Sequence, residues 1–405
     1  MLFSLTLFHA RPLAVLELLY YNNCNKIILK QQAVVMKNPF TMKVVHRPDS
    51  FCNRSEEIAT LCSYANSNTN TVIFSPRRFG KTSLVFQVQR QLIRSGFLTI
   101  YIDLFGLSSA DNIARRITKG VYSAIYKEKT VFQKAIEIIK SHKPVLRPDA
   151  TGVSISAECV RPNLAGDELL DRTLGELGEF IAEGKKPTNI VLDEFQEITE
   201  IRDRNIEGIM RSHIQNQQAG YFFVGSRRRV LLEMFNQSRR PFFQSALNFE
   251  LEKLPHDELS EFISRRFKDS GKQCSLETAS RIAESIDDHP YYCQKLAFFC
   301  FEVSDKTITS KNVQEGFNEL LHGEKPVFEA ILQGLASQQI ALLRAIAKQP
   351  SKSILSIEYM RKHNLKSIGG VQSAAGKLER LDLIERNAGN TWQLVDPLLE
   401  RWLRR

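Results

Sequence analysis

Apolar residues follow two rhythms along this chain. Up to about residue 254, short β-branched and aromatic runs alternate with stretches of helical period. Beyond that point helical spacing continues alone until a hairpin pattern near the end. Runs at 71–74, 97–105, 189–194, 221–224 and 247–254 read as strands. Ile58, Leu61, Cys62 and Ala65 predict a helix before the first strand, and 85–93 continues one after it until Gly96. Residues 110–127, 132–142, 167–183 and 205–217 also have helical spacing. Strands alternating with helices predict a parallel sheet covered on both faces. Residues 151–160 differ. Val153, Ile155 and Ala157 alternate with Ser154, Ser156 and Glu158, the pattern of a half-exposed strand inserted beside the main sheet.

From Pro255 the spacing predicts helices at 257–268, 276–286, 291–302, 311–321 and 327–334, with Pro290 at or near the first position of the third. The last stretch predicts helices around 340–346, 356–363 and 371–381, then strands at 383–386 and 391–395. Val371, Ala374, Leu378 and Leu381 are its expected buried stripe. That order is the order of a winged helix-turn-helix. The expected units are an extension at 1–41, an α/β core at 42–254, a helical lid at 255–336 and a winged helix at 337–405. In the extension, the apolar run from Met1 to Phe8 is broken by His9, Arg11 and Pro12. It is too short to span a bilayer and lacks the basic start and cleavage site of a secretory signal. Residues 1–35 are expected to lie outside the fold, with translation starting at Met36 or Met42.

Chemistry enters between the first strand and its helix. Ser75, Pro76, Arg77, Arg78, Phe79, Gly80, Lys81, Thr82 and Ser83 form a strand-to-helix loop in which a P-loop is credible. Backbone N–H groups and a helix N-terminus would face phosphates there. Lys81 would reach the β and γ phosphates, and the Thr82 hydroxyl would hold Mg²⁺. The loop opens with Ser75 where the general pattern has glycine. An ordinary turn with an exposed lysine would also fit. The second key run is NIVLDE at 189–194, which puts Asp193 and Glu194 at the C-terminal edge of a buried strand, where open α/β sheets bind ligands. Asp193 would hold Mg²⁺ through water, and Glu194 would polarise the attacking water. Solvated acids at a strand end are the alternative; the two motifs together point to a nucleotide. At the tip of 221–224, Ser226 or one of Arg227–Arg229 could sense a γ-phosphate.

Bulk composition narrows the picture only a little. With 405 residues, 43% of them hydrophobic, the chain can bury a core in two or three domains. A net charge of +10 permits contact with nucleic acid without requiring it. Seven scattered cysteines with no C-x-x-C pair speak against a disulfide framework or zinc site, and for reduced thiols in the cytoplasm.

From about Phe51 to Trp402 the sequence resembles the prokaryotic STAND-type P-loop ATPases of the archaeal-type ATPase group, which carry an AAA-like domain and a C-terminal winged helix. The lead-in FCNRSEE at 51–57 is similar to F-x-G-R-x-x-E, with Asn53 in the glycine position. SPRRFGKTSL resembles the family's Walker A loop, in which serine often comes first. LDEFQEI at 192–198 resembles its Walker B segment, and the GSR tip its sensor-1 position. RRPFFQS at 239–245 resembles the loop before the fifth strand. HPYY at 289–292 resembles a G-x-P element near the adenine, with Asp288 in the glycine position, and VDPLLERWL resembles the winged-helix end. The resemblance implies an α/β P-loop NTPase sheet in the order 5-1-4-3-2, a helical lid and a winged helix. It adds Phe51, Arg54 and Pro290 to the nucleotide-binding residues, with Glu194, Ser226 and Arg227 as the catalytic and sensing set and Thr82 and Asp193 at the metal. It also implies that ATP closes the lid on the core and hydrolysis reopens it.

Two functions compete. One is an ATPase switch timed by slow Mg²⁺-dependent hydrolysis. The other is a DNA-binding regulator in which nucleotide only holds the shape. Glu194 favours the first, because pure binding does not need it. A nucleotide kinase is weaker, since no arginine-rich lid or acceptor site is visible. Residues 351–405 hold ten Lys and Arg against six Asp and Glu, a net charge of +4. The expected reading face shows Gln372, Ser373, Lys377 and Arg380, which suits DNA, whereas Glu379 on that face opposes it. A protein partner, self-association or a clamp on the chain's own ATPase core are the other expectations for this module. No membrane association is expected.

Overall fold

The computed structural model describes residues 37–405 except 47, 150, 151, 161–163, 165, 202–204 and 388. The expected unstructured 1–35 segment lies outside the described residues. Strands β1 (Thr71–Phe74), β2 (Leu98–Asp103), β5 (Thr188–Asp193), β6 (Ala219–Gly225) and β7 (Leu247–Glu250) form one parallel sheet. Its order is β7-β1-β6-β5-β2. In chain numbering this reads 7-1-6-5-2 instead of 5-1-4-3-2, because a hairpin outside the sheet adds two strands before the third.

The period of two along each strand sorts side chains to opposite faces. Val72, Ile190, Leu192, Tyr221 and Phe223 face one core. It is covered by α3 (Ala110–Ile125), α5 (Asp167–Glu183), α6 (Ile206–Ile214) and α7 (Arg228–Asn236). Ile73, Val191, Phe222 and Val224 face the other, under α1 (Ser55–Asn66) and α2 (Lys81–Arg94). A sheet buried on both faces needs nearly continuous apolar strands, and these runs supply them.

The hairpin pairs β3 (His142–Asp149) with β4 (Gly152–Cys159), antiparallel. The first of these strands was not expected. The helix predicted over 132–142 is α4 (Lys129–Ile138) and stops early. Pro144 and Pro148 mask the strand in the sequence, and a two-stranded ribbon tolerates them because each strand has a free edge. Ile155 and Ala157 are buried as predicted, but Val153 is exposed near the tip.

The remaining helices are α8 (His256–Asp269), α9 (Leu276–Glu284), α10 (Pro290–Glu302), α11 (Ser310–Gln333), α12 (Ser337–Lys348), α13 (Ile357–Lys362), α14 (Ile368–Arg380) and α15 (Pro397–Arg404). Strands β8 (Ile384–Arg386) and β9 (Trp392–Leu394) form the wing. The two helices expected around 311–334 are one, running through Pro326. Proline removes one backbone donor. Leu320, Leu321 and Phe328 are buried on either side of it, so packing holds both halves in line. Val371, Ala374 and Leu378 are buried as predicted, whereas Leu381 is exposed because α14 has already ended. One apolar cluster runs from α8 to α15, so lid and wing share a core. Phe40 belongs to it, edge-on to Phe267 at 4.7 Å, and the Asn38 amide donates to Phe298 O at 3.1 Å. The expected extension to residue 41 therefore overreaches: Asn38 and Phe40 are part of the fold.

Candidate functional site

The loop after β1 turns at the C-terminal edge of the sheet and delivers the chain into α2. Gly80 has φ +90°, a backbone state that a side chain would strain, directly before Lys81. Lys81 is 6% exposed and folds back on its own loop. Its ammonium donates to Ser75 O at 3.0 Å, Ser75 Oγ at 3.1 Å and Pro76 O at 2.9 Å. Serine at the loop's first position is thus a partner of the lysine. Burial lowers the Lys81 pKa to about 8, while Glu194 and Asp193 pull it the other way.

Asp193 ends β5 against this loop. Its Oδ2 accepts from Thr82 Oγ1 at 2.9 Å and from Tyr101 OH at 2.6 Å, and its Oδ1 from the Glu194 N–H at 2.9 Å. Burial raises its pKa, against the pull of the Tyr101 and Thr82 hydrogen bonds. Glu194 takes φ +52° and turns away from its neighbour. It lines the cavity, with its Oε2 accepting from Ser226 Oγ at 3.1 Å and from the Gln196 amide. Gly225 makes room for that amide: a Cβ there would stand 2.0 Å from Gln196 Oε1.

Phe51, Arg54, Pro76–Ser83, Ser226 and Pro290 line a cavity of about 1150 Å³ with Glu194. The Arg78 guanidinium stacks over the Tyr291 ring at 4.3 Å, and Phe79 meets His289 edge-on at 4.9 Å. Burial drives His289 down to about 3, so it is neutral at pH 7. Arg54 is spent on structure, paired with Glu57 at 2.7 Å and donating to Glu252 O at 2.7 Å. Asn53 has φ +28° and Asp288 φ +53°, which explains why a related pattern carries glycine at both positions. Arg227 is not brought into the cavity. Its guanidinium is held by Glu197 at 2.8 Å and Glu200 at 2.6 Å, and Arg228 and Arg229 line the wall instead.

Several lining and supporting residues had no sequence signal. Tyr101 reaches Asp193 only because β2 lies beside β5, with Asp103 level with Asp193. Residues 41–45 lie along the cavity, where the Val45 N–H donates to Ser83 Oγ at 3.0 Å. Opposite the P-loop, the winged helix contributes Glu379, Asp382 and Glu385. Among the described residues no cluster of three or more His, Cys, Asp or Glu is placed to hold a metal. Among them, too, no helix is long and apolar enough to cross a membrane.

A five-stranded parallel sheet, a P-loop at its C-terminal edge and paired acids on the next strand but one define a P-loop ATPase fold joined to a winged helix. The chain belongs to the family of ATPase domains predominantly from Archaea, which matches residues 51–296, and residues 326–405 match a probable winged helix domain. A Walker-type ATPase of Pyrococcus abyssi has the same fold, with TM-score 0.65 at 17% identity over 91% of this chain and 100% of its own. The ORC2 protein of Aeropyrum pernix, in its ADPNP–ADP complexes, gives TM-score 0.51 at 14% identity over 87% and 92%. No curated protein matches the sequence.

Proposed function

We propose that this protein binds ATP with Mg²⁺ and works as a STAND-type conformational switch that hydrolyses ATP slowly. The observation that carries this is the Thr82 hydroxyl on the Asp193 carboxylate at 2.9 Å, at the start of α2, with Lys81 and Glu194 beside it. A hydroxyl and a carboxylate are hard oxygen donors, and a site with so few protein ligands suits an ion that keeps water and phosphate in its shell. Thr82 and Asp193 would hold Mg²⁺ here, and the ion would supply positive charge against the phosphates.

The chain's own groups have separate tasks in this reading. Loop N–H groups and the α2 N-terminus bind phosphate. Lys81 exchanges a loop acceptor for a phosphate oxygen. Glu194, oriented by Ser226 and Gln196, accepts a proton from the attacking water. Ser226 reports the terminal phosphate through that same carboxylate. Arg227, tied to two glutamates, has no direct part. The solved nucleotide complexes of the Aeropyrum pernix protein, which shares the fold, support a nucleotide ligand here. The lid (255–336) and winged helix (337–405) share one core and would respond as one body. The most the nucleotide can contribute to switching is its differential affinity for the two states.

The second reading is a DNA-binding regulator in the cytoplasm. It is favoured by one observation: Gln372, Ser373, Lys377 and Arg380 of α14 are all exposed. A nucleotide-turnover assay with and without duplex DNA separates the two. Mg²⁺-dependent turnover in the parent, lost in Glu194→Gln while ATP stays bound, is the expected result. A parent that binds ATP but never turns it over, with or without DNA, would leave the regulator.

A further inference from the structure

One wall of the cavity belongs to a stretch with neither helix nor strand, residues 37–46, which lies outside both family matches. It is fastened at its two ends to different parts of the chain. At the lid end the Asn38 amide donates to Phe298 O at 3.1 Å and to Glu302 Oε1 at 2.7 Å, both on α10. Arg266 of α8 donates to Pro39 O, and Phe40 is buried edge-on against Phe267. At the core end the Val45 N–H donates to Ser83 Oγ at 3.0 Å, and His46 O accepts from Arg90 at 2.7 Å and from Gln87 at 3.2 Å. The His46 ring lies on Phe86 at 4.6 Å. Ser83, Phe86, Gln87 and Arg90 all belong to α2, the helix into which the P-loop leads.

Between these anchors the stretch is thinly held. Residues 41–45 line the cavity. Among the described residues the middle, 41–44, makes one hydrogen bond, from the Lys43 N–H to Thr41 Oγ1 at 3.2 Å, and that bond is local. Met42 is 40% exposed and Val44 45%. A segment with so few backbone bonds opens at much lower cost than the helices it joins. The same cavity takes apolar lining from Leu254, Leu259 and Phe262, a surface that suits the flat face of a nucleobase.

We propose that residues 37–46 are a strap that gates nucleotide exchange, and that its middle swings away from the cavity each time a nucleotide enters or leaves. The proposal rests on the P-loop binding nucleotide as argued above, and adds what limits the traffic. Tied to the lid at one end and to α2 at the other, the strap bridges two walls of the site. While both ends hold, it bars passage between them. Neither Asn38 nor Arg90 is among the cavity-lining residues. Weakening either anchor therefore makes opening easier by the same amount with or without a ligand. Such a gate sets the rates in both directions and leaves the binding equilibrium alone, because the ligand gains no differential contact.

The test is stopped-flow fluorescence of the full chain with the N-methylanthraniloyl derivative of ADP in Mg²⁺, which measures association and release separately. Parent, Asn38→Ala and Arg90→Ala are compared, one variant for each anchor. Both residues are partly exposed, so both variants are expected to fold, and circular dichroism checks it. Loss of one hydrogen-bonded anchor should speed entry and release alike, each about fivefold, and leave Kd within about twofold of the parent. A parent that does not bind the nucleotide ends the P-loop reading and this one with it. Binding in the parent, with rates unmoved in either variant, overturns this inference alone. Faster release with unchanged association also overturns it, since the strap would then be a binding wall whose loss costs affinity.

Discussion

Thr82 Oγ1 donates to Asp193 Oδ2 at 2.9 Å across 111 residues of intervening chain. The hydroxyl belongs to the first turn of the P-loop helix and the carboxylate to the end of β5. Because β6 lies between β1 and β5 in the sheet, this bond spans the crevice in which open α/β sheets bind ligands. The same oxygen also accepts from Tyr101, so one acid fixes three elements.

Tyr101→Phe removes the shorter of these bonds and leaves the ring on Phe86, its neighbour at 4.8 Å. A buried carboxylate that loses one donor costs about 1–3 kcal/mol. Asp193, already pushed up by burial, would be harder to ionise. The expected outcome is a several-fold higher Mg²⁺ concentration for half-maximal nucleotide binding, read by titrating Mg²⁺ at fixed ATP. An unchanged Mg²⁺ curve would show that Thr82 and the Glu194 N–H suffice.

Lys81 gives a pH signature. Its folded pKa of about 8 lies below its ordinary value, so the free protein loses this proton above pH 8 while an unfolded chain keeps it. Between about pH 8 and the ordinary lysine value, the unfolded state binds more protons, and this group's contribution to stability rises with pH. Nucleotide phosphates favour the ammonium. Binding above pH 8 should therefore take up a proton, and affinity should fall by up to about tenfold per pH unit. Calorimetry at pH 8.5 in two buffers of different ionisation heat measures that uptake. Lys81→Ala should abolish binding altogether and leave the fold intact, since it removes a buried charge from the free protein.

The start of the fold can be placed by truncation. A chain beginning at Met36 keeps Phe40 against Phe267 and should melt like the full chain. One beginning at Met42 loses a buried phenylalanine, a change of about 3–5 kcal/mol in a core. Equal melting temperatures for the two shortened chains would show that Phe40 contributes nothing.

For the winged helix, Lys377→Glu/Arg380→Glu reverses the charge on an exposed face. If that face binds DNA, affinity for duplex DNA should fall steeply with salt in the parent and be lost in the variant. Binding absent at low salt, or unaffected by the reversal, would leave α14 as a clamp on the ATPase core. Glu379 already pairs with Arg229 of the core at 2.7 Å.

Much of this protein is fixed by local chemistry. The five apolar runs form the sheet because each is short, β-rich and bounded by breakers. Gly80, Lys81 and Thr82 form the turn into α2 because a left-handed glycine, a helix start and a hydroxyl stand within three residues. Asp193 and Glu194 were legible because a buried run can end in charge only where the strand leaves the core. Other features depended on which elements meet. Tyr101 became an Asp193 partner through strand order, and Arg227 was diverted to Glu197 and Glu200 by the turn beside it. Pro326 sits inside a helix because residues on either side pack into one core. The β3 strand exists because β4 pairs with one of its edges and leaves the other free, where proline is tolerated. Asp382 is the clearest case: in the sequence it is one acid in a helix-ending turn, and only the packing of the winged helix puts it on the wall of the cavity that Lys81 also lines. Covalent spacing and backbone preference are written residue by residue, whereas electrostatic neighbours across a cavity are set by the packing of whole domains.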